Sequence, residues 1–127
     1  MTQQGSVIAT RVLTTDTEEV VSVTIFAPRK SGEEEWSCEF AIAGAGLDIR
    51  RDCSGSSDAL AALLLSIHGV RAHLESARVG LRWEDGDLGD FGIPRPIPTS
   101  YGPAVEARLI KVVNDEVARL SAIKWGK

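Results

Sequence analysis

The first half of the chain contains four successive stretches of strand-like residues, and the polar gaps between them are short. They run Ser6 to Leu13 (SVIATRVL), Glu19 to Pro28 (EVVSVTIFAP), Glu35 to Gly44 (EWSCEFAIAG) and Leu47 to Cys53 (LDIRRDC). The second and third are rich in β-branched and aromatic residues, and the turn material TTDTE, PRKSGEE and GAG separates all four. Parallel neighbours need crossovers of about a dozen residues or more, so these gaps predict an antiparallel meander.

Alternation assigns the faces. In the third stretch Trp36, Cys38, Phe40 and Ile42 share one side and Ser37 and Glu39 the other; in the fourth, Leu47, Ile49 and Cys53 oppose Asp48, Arg50 and Asp52. A turn centred on Ala45 and Gly46 sets Cys38 opposite Cys53, whereas a turn at Gly44 and Ala45 separates them. Alternation permits both registers.

From Ser56 the period becomes helical. SSDALAALLLSIHGVRAHLESA offers Ser56 or Ser57 as N-cap, Asp58 near the positive helix end, and Leu60, Leu63, Leu64, Ile67 and Leu74 as the core stripe. Gly69 costs about 1 kcal/mol relative to alanine in a helix, so it predicts a close backbone approach or a bend. RVGLRW (Arg78 to Trp83) reads as a fifth strand, and a loop continues to about Gly102. Pro103 suits the first turn of a second helix with Val105, Leu109, Val112, Val117 and Leu120 along one side. Lys111 with Asp115, and Asp115 with Arg119, form i,i+4 pairs on its wet side.

The order ββββ-α-β-α predicts a single α+β domain over residues 1–127, an antiparallel sheet of four to five strands with two helices packed on one face. On the other face Ser22, Thr24, Ser37 and Glu39 are interrupted by Val20 and Phe26. Such a mixed face can bind something.

Fourteen basic and eighteen acidic residues give a net charge of -4. That balance opposes nucleic acid and anionic membranes and favours a basic protein partner. MTQQGS lacks the basic and apolar regions of a secretory signal, and no apolar run approaches the roughly 20 residues that span a bilayer, so a cytoplasmic location is expected. Two cysteines make neither a disulfide framework nor a zinc site; reduced thiols are expected.

The stretch WEDGDLGDFGIPRPIP, Trp83 to Pro98, carries the densest chemistry. Aligning Asp85 with the first ligand of a calcium-binding EF-hand loop places Gly89, Asp90 and Pro96 where a ligand, the turn glycine and the bidentate glutamate belong, so that motif fails. Pro94, Pro96 and Pro98 do not make P-x-x-P, and GDLGDFG is no phosphate-binding loop. The prolines instead predict a stiff extended connection, with Ile93, Arg95 and Ile97 projecting to one side. His68 and His73 point about 140° apart on a helix of 3.6 residues per turn. Cys53 with His68 is the least unfavourable nucleophile pair. No metal or cofactor is expected.

EWSCEFAIAGAG, DALAALLLSIHGVRAHL and RWEDGDLGDFGIPRPIP, over a span from about Ile8 to Leu120, resemble a family of small uncharacterised bacterial proteins that carry a domain of unknown function. The resemblance implies a bacterial source and a shared α+β fold, and it supplies no catalytic residues.

The leading functional expectation is a non-enzymatic protein-interaction module, of the kind represented by immunity-type inhibitors of a basic partner. It would use the open sheet face and the loop residues Trp83, Asp85, Asp87, Asp90 and Arg95. One alternative is a small-molecule or anion-binding domain with Arg50, Arg82, Arg95 and Trp83 around a pocket; Arg50, Arg51, Arg78, Arg82 and Arg95 would form an anion-binding patch if they converge. Another is an enzyme centred on Cys53 and His68 or on the aspartate loop. A homodimer is compatible with an uncovered sheet edge or face.

Overall fold

The computed structural model describes residues 6–94 and 101–124. They belong to two compact units divided after Pro94. The first contains β1 (Val7–Thr15), β2 (Val20–Phe26), β3 (Arg29–Gly32), β4 (Glu35–Gly44), β5 (Leu47–Ser56), α1 (Ala59–Ser76) and β6 (Leu81–Trp83). The second contains α2 (Pro103–Lys124). The fold is α+β, with a six-stranded antiparallel sheet and two helices.

β2 pairs with β1 and β4, β1 continues to β6, and β5 lines β4. The sixth strand is β3, within the PRKSGEE segment expected to be turn. Pro28 and Gly32 bracket a short hairpin arm whose Arg29 and Lys30 pair with Ser37 and Trp36. Ser37 is thereby buried, its hydroxyl donating to Ser31 Oγ at 2.8 Å.

The β4–β5 hairpin turns on Ala45 and Gly46, both at positive φ (51° and 83°), as a two-residue hairpin loop requires. This choice resolves the register: Gly44 faces Leu47 and Cys38 faces Cys53. Core-facing residues of three strands then align laterally, Leu13 beside Val21, Val23 beside Ile42, and Ile25 beside Phe40.

Asp58, rather than Ser56 or Ser57, caps α1: its Oδ1 accepts from the Ala61 N–H at 2.7 Å, while Ser56 still belongs to β5. The helix meets the sheet through Ala62, Ser66, Val70 and Leu74. Leu60 and Leu64, expected in the core stripe, are exposed. Phe40 explains the rotation. Its ring rises so close under the helix that a Cβ on Gly69 would stand 2.9 Å from Phe40 Cε2, and only small side chains fit that line. Of the two readings for Gly69, close approach is the one found. Leu13, Val21, Val23, Phe40, Ile42, Val70, Leu74, Leu81 and Phe91 form the buried cluster.

In α2, Pro103 occupies the first turn and the Glu106 N–H donates to the Gly102 carbonyl at 3.0 Å. Lys111 pairs with Asp115 at 2.7 Å, but Arg119 turns to Glu116 in place of the expected Asp115. No helix among the described residues is long and apolar enough to cross a membrane.

Candidate functional site

The segment after β6 folds back on the sheet. The Trp83 N–H donates to the Asp90 carbonyl at 2.8 Å, Gly89 N–H to the Leu81 carbonyl at 2.7 Å, and Asp90 N–H to the Asp87 carbonyl at 3.0 Å. Asp90 Oδ1 accepts from Gly92 N–H at 3.0 Å, and Phe91 enters the core. Two arginines clamp the backbone from Phe91 to Ile93. Arg11 donates to the Phe91 carbonyl at 2.7 Å and stacks 3.9 Å above the Trp83 ring, while Arg71 donates to the Ile93 carbonyl and pairs with Glu75 at 3.3 Å. Gly92 permits this packing. Its φ is +67°, and a Cβ there would stand 2.2 Å from Trp83 Cε3.

Trp83 and Asp90 therefore serve the loop's own architecture. Asp85 and Asp87 remain exposed. Arg95, Pro96, Ile97 and Pro98 lie outside the described residues. Among the described residues no group of three histidine, cysteine or acidic side chains is arranged to hold a metal ion.

The other face of the sheet carries Arg82, Thr14 and Val20 in one lateral row, then Val12, Ser22, Ala43 and Asp48, then Thr10, Thr24, Ala41 and Arg50. Val12 and Val20 are each more than half exposed. At the far corner Arg29 grips Asp52 through both oxygens (2.6 and 3.2 Å), and Arg50 pairs with Glu39 at 2.8 Å while lying 5.2 Å from the Phe26 ring centre. The face expected to be mixed is so within this unit: polar in the middle, apolar on β1 and β2, ionic along β5.

Where the β1–β2 turn meets the end of β6, Glu18, Glu84 and Asp85 line a polar cleft of about 500 Å³ with Thr14 and Arg82. Arg82 pairs with Glu18 at 2.6 Å. The Thr15 hydroxyl fixes the turn, accepting from the N–H groups of Thr17 and Glu19 at 3.2 and 3.0 Å. Glu18 and Glu84 adopt left-handed backbone (φ 65° and 54°), a conformation uncommon outside glycine. Two strained acidic residues thus flank one cleft, which carries three carboxylates against one guanidinium.

Among the described residues, Arg50 and Arg82, expected to converge, do not. Arg50 and Arg82 lie on the strands at opposite edges of the sheet, each holding its own carboxylate. Arg51 donates to the Arg50 carbonyl at 2.9 Å, and Arg78 is exposed.

Cys38 and Cys53 face each other without a disulfide, Cys38 donating to the Phe26 carbonyl at 3.2 Å. Burial pushes both thiols above their ordinary range. Beside Cys38, the Ser66 hydroxyl opposes part of that rise, although its Oγ makes no hydrogen bond of proper geometry. No hydrogen bond joins Cys53 to His68 among the described residues. His68 is exposed, whereas His73 is half-buried with its ring 5.7 Å from Phe40, because the helix is rotated by its contact with Phe40.

Arg11, Arg71, Glu18 and Glu84 are the site residues that sequence reasoning passed over. Arg11 left a readable trace: it shares the parity of Ala9 and Leu13, so a cation stands on the core-facing side of β1. The others depend on tertiary proximity, which no local pattern encodes.

Residues 9–95 match a family described as a domain of unknown function (DUF6968), a span of more than half the chain. No curated protein and no solved structure matches the chain at a significant level.

Proposed function

We propose that this chain, which belongs to the DUF6968 family, is a non-enzymatic protein-interaction module that receives a basic partner where the β1–β2 turn meets β6. The cleft of Glu18, Glu84 and Asp85 around Arg82 carries the reading. Its charge excess is negative, and its acidic side chains are not arranged for a metal ion. It adjoins exposed Val20, whose lateral neighbour Thr14 lines the cleft. An apolar strip bordered by acid suits lysine or arginine side chains, whose methylenes pack while their heads pair. Strained backbone at Glu18 and Glu84 supports the same location, since such strain concentrates at ligand-gripping sites. Within this reading the chain is a bacterial, cytoplasmic immunity-type inhibitor of a basic protein, in keeping with its net charge of -4 and its reduced thiols.

Affinity capture from a lysate of the source organism tests this, comparing the full chain with its Glu84→Lys/Asp85→Lys variant. The expected result is one basic protein held by the unchanged chain, released as salt rises from about 0.1 M to about 0.5 M, and bound at least about tenfold less by the variant. Equal capture by both proteins, or no specific capture, overturns the proposal.

A further inference from the structure

On the opposite face of the sheet from the acidic cleft, α1 and the folded-back 91–94 segment leave a gap between them. It is an apolar cleft of about 230 Å³, floored by Ala9, Val23 and Ile25 and walled by Ile67, Val70 and Ile93. Arg11 lines it too.

The state of Arg11 distinguishes this cleft from a packing gap. Arg29, Arg50, Arg71 and Arg82 each hold a carboxylate. Arg11 is half-buried, and among the described residues it has no carboxylate partner; its contacts are the Phe91 carbonyl and the Trp83 ring. A guanidinium has five N–H donors, so one carbonyl leaves most of them open to solvent or to a ligand. A partly desolvated cation facing apolar walls lacks the anion that would offset its desolvation. Trp83 and Gly92 hold the guanidinium in place, so an arriving carboxylate meets a pre-organised fork.

We propose that this cleft binds a small apolar carboxylate, with the carboxylate on Arg11 and the hydrocarbon against Val23, Ile25, Ile67 and Val70. Size follows from volume. An engineered apolar cavity of about 150 Å³ in another protein takes benzene, so one of 230 Å³ takes about nine non-hydrogen atoms. Heptanoate and benzoate both have that size. Recognition by apolar walls plus one placed charge is the usual construction of a small-ligand site. The proposal is independent of the basic-partner reading and uses different residues.

The test is an NMR titration of the full chain with heptanoate, benzoate and the neutral isostere benzamide, following backbone amides and methyl groups. Saturable shifts at Ala9, Arg11, Ile67 and Val70 are expected, with Kd about 1 mM or tighter for the carboxylates and at least about tenfold weaker for benzamide. Arg11→Gln is expected to reduce benzoate affinity to the benzamide level. Because Arg11 also clamps the Phe91 carbonyl, a second variant keeps Arg11 and fills the floor: Ala9→Leu is expected to abolish binding while preserving the dispersed spectrum. Four results overturn the proposal: no saturation up to about 20 mM, saturable shifts confined to other residues, equal affinity for benzoate and benzamide, or unchanged binding in Ala9→Leu. Cross-peaks in the free protein between the Val23 or Ile67 methyls and another segment of this chain would equally overturn it, since the cleft would already be filled.

Discussion

Gly69 and Phe40 set the distance between helix and sheet, and a single methyl group tests it. Gly69→Ala gains about 1 kcal/mol of helix propensity, but the new Cβ stands 2.9 Å from a ring that is 1% exposed and has nowhere to move. Overpacking of that kind costs about 1–3 kcal/mol, so the variant is expected to be less stable by about 1 kcal/mol in urea unfolding. A gain in stability would show that Phe40 moves aside. The two thiols give a second prediction. Burial raises both folded-state values above the ordinary 9.0, so above pH 9 the unfolded chain releases protons that the folded chain keeps. The thiols' contribution is therefore fully present below pH 9 and falls as pH rises from there through the raised values. Urea midpoints are expected to decline less steeply over that range in Cys38→Ala/Cys53→Ala than in the unchanged chain. Identical slopes would refute the assignment.

β5 is the element most exposed to unwanted pairing: among the described residues β3, β5 and β6 each pair with a single strand, and β5, at 10 residues, is the longest of the three. Asp48, Arg50, Arg51 and Asp52 charge the strand, a common protection of sheet edges. Replacing Arg50 and Asp52 together by valine is expected to produce concentration-dependent self-association in analytical ultracentrifugation. The ion pairs lost contribute about 0–1 kcal/mol each, so an early loss of folding would not be the cause. A monomer at all concentrations would show that charge does not guard this edge. Alternation made β4 and β5 readable, down to the facing of Cys38 and Cys53 once the turn was known, since period two leaves few registers. β3 was not readable: PRKSGEE has turn composition, and its pairing depends on β4 being already in place. The α1 stripe misled for a related reason. Large leucines attract the pattern, whereas the sheet beneath accepts only Ala62, Ser66 and Gly69 where Phe40 rises. The arginine clamps join residues 80 and 22 positions apart, beyond any periodic signal.

At the scale of the whole molecule, the compact unit ending at Pro94 and the family match over residues 9–95 nearly coincide. That unit has its own buried cluster, from Leu13 on β1 to Phe91 after β6. Residues 1–94 alone are expected to unfold in a single cooperative urea transition. A broad, non-cooperative transition would show that this core needs more of the chain. The proposed function also belongs to this scale, because the acidic cleft unites a turn and a strand end more than 60 residues apart, as the Arg82–Glu18 bond spanning 64 positions illustrates. Hydrogen exchange of the full chain, free and in complex with the captured basic protein, tests whether the acidic cleft is where the partner docks. The predicted result is slower exchange over residues 16–22 and 82–86, diminishing as salt rises. Protection confined to β5 or α2, with the cleft residues unchanged, would contradict it.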